Sequence, residues 1–202
     1  MSVLTNAVLE EFAGELARRL SAGTSLTEDS IRYSLYSALT RHEGVASSEV
    51  HLEEPHPALR GKKVDTYIPA SGPRGETLWE LKYDRRIPSA RNQPRTQKVG
   101  ALLNDVFRLA QWPRTDAACH LIYLTDDEMA KYMRNPANGF AEIFAALPGA
   151  RIAIDEAFLA TKALALRRKV KVPVVESLLI GQFQRDLPRG HYLRVFEVKR
   201  GR

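Results

Sequence analysis

Apolar and polar residues alternate along two neighbouring segments in the first half of the chain, residues 63–69 and 77–83. Residues 71–75 between them are rich in Gly, Ser and Pro and are typical of a turn. Because successive side chains of a strand point to opposite faces, Glu80 and Lys82 share one face of the second segment. Trp79, Leu81 and Tyr83 are expected on the other. The pattern therefore predicts a β-hairpin with an apolar face and a charged face.

The first strand of this hairpin is expected to divide its side chains in the same way. Residues 64, 66 and 68 are β-branched and are predicted on one face, which leaves Asp65 and Tyr67 on the opposite face. The two carboxylates of Asp65 and Glu80 and the ammonium group of Lys82 are therefore expected to converge at one edge of a sheet.

Apolar residues recur at helical spacing in residues 6–20, in a segment that begins at residue 27, and in residues 96–111. In the second of these helices Glu28 lies three residues before Ile31 and seven before Leu35. Its side chain is therefore predicted on the inward face of that helix. Acidic residues are also common in a first helical turn because they interact favourably with the helix dipole, so a purely local role is an alternative for Glu28.

The remaining segments complete an α/β pattern. Residues 49–54 are predicted as a strand, and residues 117–125 are so continuously apolar that a strand covered on both faces is expected. Helices are predicted at 129–134, 138–147 and 155–168, and strands at 172–184 and 192–199. The order α-α-β-β-β-α-β-α-α-α-β-β indicates a mixed β-sheet flanked by helices on both faces.

Composition limits the possibilities further. The 202 residues are enough for one well-buried core, so a single domain over 1–202 is expected, with an N-terminal helix at 6–20, a core at about 26–125, and C-terminal helices and a β-hairpin at 126–202. No apolar run approaches the ~18 residues that a membrane span needs. Cys119 is the only cysteine, so no internal disulfide can form and a cytoplasmic setting is expected. The formal charge of +6 favours a polyanionic partner such as nucleic acid.

Asp65, Glu80 and Lys82 together resemble the motif of the PD-(D/E)xK nuclease superfamily, which has the restriction-endonuclease-like fold. The resemblance covers roughly residues 26–125. It implies a Mg²⁺ ion, for which Mn²⁺ can substitute, bound by Asp65, Glu80 and the backbone carbonyl of Leu81. It also implies that Lys82 positions or deprotonates the attacking water. Hard oxygen ligands are those that Mg²⁺ prefers, and a bound metal lowers the pKa of its water.

Two further residues occupy positions that the resemblance assigns to the site. Glu28 corresponds to the acid that many members carry on the first core helix, where it contacts the metal directly or through water. Gln97 corresponds to a polar residue one helix after the second strand of the hairpin, where it touches the substrate or the site. Val64 departs from the motif, which usually has proline there. Basic residues flank the proposed site and are candidates for contacts with nucleic-acid phosphates; they are Lys62, Lys63, Arg85, Arg86, Arg91, Arg95 and Lys98.

The resemblance implies a nuclease that hydrolyses DNA phosphodiester bonds in restriction, phage defence or repair. A homodimer is expected, because two copies of so small a chain offer a simple way to cut both strands, and a further protein partner is possible. One alternative is a non-catalytic nucleic-acid-binding module, or a partner-dependent subunit, with the same fold. Another is an interaction protein with an unrelated α/β fold, in which Asp65, Glu80 and Lys82 form only a solvated charge pattern.

Overall fold

The computed structural model describes residues 2–86 and 93–201, and a seven-stranded mixed sheet forms its centre. The strands lie in the order β1-β2-β3-β4-β7-β6-β5, and β3 and β4 are parallel whereas the other neighbours are antiparallel. The strands are β1 His51–Pro55, β2 Lys63–Ile68, β3 Thr77–Asp84, β4 Ala118–Thr125, β5 Arg151–Ile154, β6 Ser177–Leu187 and β7 His191–Arg200.

Helices cover both faces of this sheet, which confirms the α/β prediction. The α-helices are α1 Asn6–Ser21, α2 Glu28–Glu43, α3 Arg95–Ala110, α4 Asp127–Arg134, α5 Ala141–Ala145, α6 Glu156–Ala160 and α7 Leu164–Arg167. Short 3₁₀ turns are present at Ser47–Glu49, Pro136–Asn138 and Pro188–Gly190. No helix in the described part of the chain is long and apolar enough to cross a membrane.

The sheet separates two hydrophobic cores. Helices α1 and α2 pack with Trp79 of β3 and Ile122 of β4 on one face. Helix α3 and the C-terminal helices pack with Leu78, Leu121 and Tyr123 on the other face. Strand β4 is buried along almost its whole length, as its continuously apolar sequence predicts. Every residue of β3 therefore faces one of two helical layers, and the layer on its charged side is α3.

The predicted hairpin is present as β2 and β3, joined through a tight turn in which the amides of Ser71 and Arg74 each donate to the other's carbonyl. The expected alternation holds for most of β2, with one exception. Ile68 lies in the core under α1 and α2, but Val64 packs into the core under α3. The prediction that residues 64, 66 and 68 share one face is therefore wrong at Val64. The last backbone pair recorded between β2 and β3 is Thr66 opposite Trp79, and Val64 lies beyond it.

The C-terminal half differs from the sequence pattern in its short elements. Residues 155–168 form two short helices rather than one, and the hydroxyl of Thr161 donates to the carbonyl of Phe158 where the first of them ends. Only residues 141–145 of the helix predicted at 138–147 are α-helical, because Gly139 adopts a left-handed φ of 72° just before them. Strand β5 was not predicted, and β6 begins at Ser177 rather than at residue 172.

Two helical glycines should respond in opposite ways to alanine. In α3 a Cβ added at Gly100 would lie 2.9 Å from the carbonyl oxygen of Leu166 and 2.7 Å from the Cβ of Lys169. The clash should outweigh the gain in helix propensity, so we expect Gly100→Ala to lower the free energy of unfolding by about 1–2 kcal/mol.

The matched control is Gly14→Ala in α1, where the added Cβ would meet only the flexible end of Arg18 at 3.6 Å. That variant should gain stability by up to about 1 kcal/mol. Urea unfolding of both variants tests the pair, and equal stabilisation by the two substitutions would show that α7 does not pack against α3 as described.

Candidate active site

The backbone pairing of β2 with β3 gives way to side-chain contacts at the point where the predicted acids lie. The last recorded backbone pair is Thr66 opposite Trp79, and continuing this register by one residue places Asp65 opposite Glu80. There the carboxylate of Asp65 accepts a hydrogen bond from the backbone N–H of Leu81, with an Oδ2–N distance of 2.8 Å. Asp65 therefore replaces a backbone acceptor where β2 leaves β3.

A second carboxylate contacts the next N–H group on the same edge of β3. The backbone N–H of Tyr83 donates to Oε1 of Glu28 at 3.4 Å. Because alternate N–H groups of a strand point the same way, Leu81 and Tyr83 present successive donors to the side that β2 has left. Glu28 is exposed rather than inward-facing, which corrects the prediction from helical spacing, yet it reaches the site from the first turn of α2.

Glu80 is almost completely buried and forms an ion pair that the sequence did not predict. Its side chain is 2% exposed, and its Oε1 accepts from Nε of Arg108 on α3 at 2.7 Å. The same guanidinium donates through Nη2 to Oδ1 of Asp105 at 2.8 Å. Arg108 therefore bridges two buried carboxylates, which is the arrangement that a charge needs in order to be tolerated in a protein interior.

This bridge belongs to a longer match between β3 and α3. The side of β3 that faces α3 carries alternating charges, and α3 carries the opposite charges in the corresponding order. Glu80 forms an ion pair with Arg108, whereas Lys82 and Asp105, and Asp84 and Lys98, influence one another electrostatically without a direct ion pair among the described residues. The match follows from the fold, because a helix that returns the chain from β3 to the parallel β4 runs in the opposite direction to β3.

Burial and neighbouring charges shift the pKa values of the acids in this set upward. Burial raises the pKa of Asp105 to about 6, against the opposing charges of Lys82 and Arg108. Burial also raises the pKa of Glu80, and the negative charges of Asp65 and Asp105 raise it further. Both acids therefore hold a proton more readily in the folded protein than in an unfolded chain.

The pKa of Lys82 is also raised, but the cause is the surrounding carboxylates rather than burial. Burial alone would lower its pKa, but the surrounding carboxylates outweigh burial and raise it. These carboxylates belong to Asp105, Asp84, Glu28 and Asp65. In this arrangement Lys82 therefore holds its proton more readily than a lysine in water does.

A basic cleft of about 630 Å³ opens at the carboxyl ends of β3 and β4. Its lining includes four of the basic residues predicted to contact phosphates, namely Arg85, Arg86, Arg95 and Lys98. Glu128 on α4 accepts from Arg86 at 3.0 Å and from Arg95 at 2.8 Å. Arg85 lies over the ring of Tyr83 at 5.5 Å. The cleft therefore keeps a net positive charge beside the buried acids.

The other predicted contact residues lie elsewhere. Lys62 and Lys63 are exposed at the beginning of β2, away from the cleft lining. Gln97 lies in the first turn of α3, where its side-chain oxygen accepts from the amide of Gln93 at 3.2 Å. Arg91 falls outside the described residues. The structure thus gathers the basic residues around β3, β4 and α3, and leaves the β1–β2 turn as a separate basic surface.

The oxygen donors at the site fit a Mg²⁺ ion in chemical type. Among residues 2–86 and 93–201 no three His, Cys, Asp or Glu side chains are arranged as a complete metal site. Mg²⁺ usually takes only one or two protein carboxylates and completes its shell with water and phosphate. Asp65, Glu80 and the carbonyl of Leu81, which leaves the strand on the same side as its N–H, offer such a set. One oxygen of Glu80 is engaged by Arg108.

Asp105 and Arg108 are the residues that the sequence analysis missed. Asp105 lies three residues after Leu102 and four before Leu109, both in the buried apolar stripe of α3. A charged residue within such a stripe must find a partner inside the protein, so its position was a usable signal. Arg108 lies one turn further on, where a long side chain can reach back along the helix to it.

Comparison of the chain with protein-family models, with curated proteins and with solved structures gives no match. A fold class such as α/β accommodates many unrelated activities and does not identify one. Function must therefore be inferred from the charged side chains between β3 and α3 and from the cleft beside them.

Replacing Asp105 with Asn should change how stability depends on pH. An acid whose pKa is raised by folding binds its proton more tightly in the folded state, so stability falls as pH rises from its ordinary pKa of 3.8 to about 6. Asp105→Asn removes this contribution. We expect the stability of wild type relative to the variant to fall by about 2 kcal/mol between about pH 4 and pH 7. Urea unfolding at several pH values measures the difference, and a difference that does not vary with pH would contradict the burial of an ionisable Asp105.

Proposed function

We propose that the chain is a Mg²⁺-dependent nuclease that hydrolyses phosphodiester bonds of DNA, with Mn²⁺ able to replace Mg²⁺. One observation carries the proposal. Asp65 accepts a hydrogen bond from the N–H of Leu81, the residue after Glu80, where β2 leaves β3, and Lys82 follows Glu80 on the same face of β3. The proposal includes the restriction-endonuclease-like fold. In its support, α2, β1, β2, β3, α3 and β4 follow one another in the order that this fold requires, with a helix crossing between the parallel strands β3 and β4.

The acids would hold the metal. Asp65 and Glu80 are the proposed carboxylate ligands, with the carbonyl of Leu81 between them in sequence. Bound there, Mg²⁺ would act as a Lewis acid and lower the pKa of a water molecule. The hydrogen bond from Leu81 N–H fixes the orientation of the Asp65 carboxylate. Rigid placement of a ligand in this way reduces the cost of binding.

Lys82 would place positive charge at the reacting phosphate. Its pKa is raised by the carboxylates around it, although burial opposes that shift, and Asp105 neutralises it from α3. A charged lysine stabilises the negative charge that develops on phosphate oxygens during hydrolysis. It can also donate a hydrogen bond that orients the attacking water. Glu28 holds the edge of β3 through Tyr83 N–H and adds to the negative field around Lys82.

The basic cleft would bind the nucleic-acid backbone. It opens beside Asp84 at the end of β3, and Lys98 connects the two features. The ammonium of Lys98 donates to the carbonyl of Arg85 at 2.7 Å, and burial raises the pKa of Asp84 against the opposing charge of Lys98. Phosphate contacts of this kind position a nucleic acid without reading its sequence. We further propose a homodimer acting in restriction, phage defence or repair, since two copies of the site would reach both strands of a duplex.

A second candidate function is a nucleic-acid-binding subunit that does not cut, and one observation favours it. Arg108 already neutralises Glu80 inside the protein, which gives the acid a structural partner that needs no metal. Under this hypothesis the basic cleft binds DNA and the buried charges only hold α3 against β3. The two candidates differ in whether the chain cleaves DNA in a reaction that depends on Asp65.

Cleavage assays with matched acid variants test the nuclease. We expect wild type to nick plasmid or cut single-stranded DNA with Mg²⁺ or Mn²⁺. Asp65→Asn, Glu80→Gln and Lys82→Met should each lower the rate by about a hundredfold or more, because each removes transition-state stabilisation worth several kcal/mol. Asp29→Asn is the control, since Asp29 neighbours Glu28 but is exposed, and among the described residues its ion pair is with Arg32 on α2.

Near-normal activity in Asp29→Asn and loss in the other three variants supports the nuclease. Cleavage that persists at the wild-type rate in Asp65→Asn would rule it out. Absence of cleavage by wild type, with DNA binding intact, would favour the non-catalytic subunit.

Salt-dependent binding tests the cleft separately from cleavage. Arg85 makes no ion pair among the described residues and is free to contact a phosphate. Arg85→Gln should weaken DNA binding about equally for different sequences and reduce the slope of log affinity against log salt by about one. Arg41→Gln, on the distant end of α2, is the charge-matched control. Equal slopes for the two variants would exclude the cleft as the phosphate-binding surface.

A further inference from the structure

We propose that Arg108 competes with the metal ion for the carboxylate of Glu80. Metal binding then requires Arg108 to release Glu80 while it keeps its contact with Asp105. The inference rests on the proposed metal site and adds a means of regulating it. Arg108 and a divalent cation would both bind the side chain of Glu80, which is the most buried carboxylate among the proposed metal ligands.

The contacts show why the competition is direct. Nε of Arg108 lies 2.7 Å from Oε1 of Glu80, and Glu80 is 2% exposed, so little water is present to screen the pair. A guanidinium and a divalent cation repel one another at such a distance in a poorly solvated interior. Occupation of the site by one cation therefore disfavours the other.

Asp105 makes release of Glu80 feasible. Nη2 of Arg108 lies 2.8 Å from Oδ1 of Asp105, three residues earlier on the same helix. A guanidinium carries several donors in a fixed plane, so Arg108 can give up the Nε contact and keep its charge partner. Arg108 is 17% exposed and borders solvent, whereas Glu80 is not. The side chain that moves is therefore Arg108, and the buried carboxylate stays in place.

A second ion pair joins an arginine to a buried glutamate away from the proposed metal ligands, and its arginine is more exposed, at 53%, than Arg108. Nε of Arg114 lies 2.8 Å from Oε2 of Glu76, whose side chain is 1% exposed. Glu76 precedes β3 at the far end from the basic cleft and also accepts from Trp112, and it is not one of the proposed ligands. Removing Arg114 reports on the general effect of deleting one arginine beside a buried glutamate.

Calorimetric titration with MnCl₂ tests the competition without measuring activity. If Arg108 holds Glu80 for most of the time, Arg108→Met should raise the affinity for Mn²⁺ by about tenfold or more, because the binding-competent fraction increases. Arg114→Met should leave that affinity within about twofold of wild type, since it sits outside the site. Each variant is also measured with Asp65→Asn, which removes a proposed ligand and identifies the heat that belongs to this site.

A second measurement uses the wild-type protein, so it does not depend on Arg108→Met folding. The Nε–Hε signal of Arg108 in nuclear magnetic resonance spectra, assigned by its loss in Arg108→Lys, should be protected from solvent exchange without metal. Adding MgCl₂ should shift this signal and speed its exchange, while the Nε–Hε signal of Arg114 should stay unchanged.

The outcomes separate this inference from the proposed function. A tenfold gain in Arg108→Met that disappears with Asp65→Asn, together with the change at Arg108 Hε, supports the competition. Metal binding that depends on Asp65 but is equal in wild type and Arg108→Met, with Arg108 Hε unchanged, overturns the competition and leaves the metal site standing. If Arg108→Met does not fold, the Arg108 Hε result decides alone. Absence of Asp65-dependent binding in every variant overturns both.

Discussion

The ion pair between Glu80 and Arg108 is the interaction on which the candidate site depends. It joins the middle of β3 to the last turn of α3, and it places a charge that is 2% exposed beside a guanidinium that also holds Asp105. Breaking such a pair from one side typically costs about 3–5 kcal/mol, because the remaining charge stays buried. Replacing a buried ion pair with an apolar pair of similar volume is often neutral or stabilising, so the pair is weak evidence for stability by itself.

At the edge of β3, the carboxylates of Asp65 and Glu28 accept hydrogen bonds from the strand backbone. Where β2 departs, the N–H groups of Leu81 and Tyr83 would lack acceptors, and the carboxylates of Asp65 and Glu28 supply them. Unpaired backbone groups are costly, so these acids have a structural role before any ligand arrives. The two acids therefore satisfy backbone donors at an edge of β3 that β2 no longer covers.

The hairpin and its charged face could be predicted because strand alternation is a local property. Alternation along β3 predicted that Glu80 and Lys82 share one face, and the apolar run in β4 predicted a strand covered on both faces. Both predictions use only residues that are close in sequence. Arg108 was not predicted, because its role depends on which part of α3 lies over Glu80, and only the tertiary packing decides that. Glu28 was expected to be inward-facing, yet it is exposed and reaches β3 through its flexible side chain. Strand β5 was not predicted, because its four residues are too few for their alternation to be distinguished from chance.

The basic cleft lies beside the buried charges under α3, and this arrangement relates the two candidate functions. Glu80 and Asp105 lie under α3 and Asp65 at the edge of β3, whereas Arg85, Arg86 and Arg95 line the open cleft together with Asp126 and Glu128. A nucleic acid that approaches the cleft meets positive charge first, and its phosphates are then repelled by the acids further in. Only a cation between phosphate and carboxylate removes that repulsion. Under the proposed function, the surface without metal would hold a nucleic acid at the cleft and keep it from the acids. The partner of Glu80, either Arg108 or a metal ion, would then determine whether cleavage follows binding.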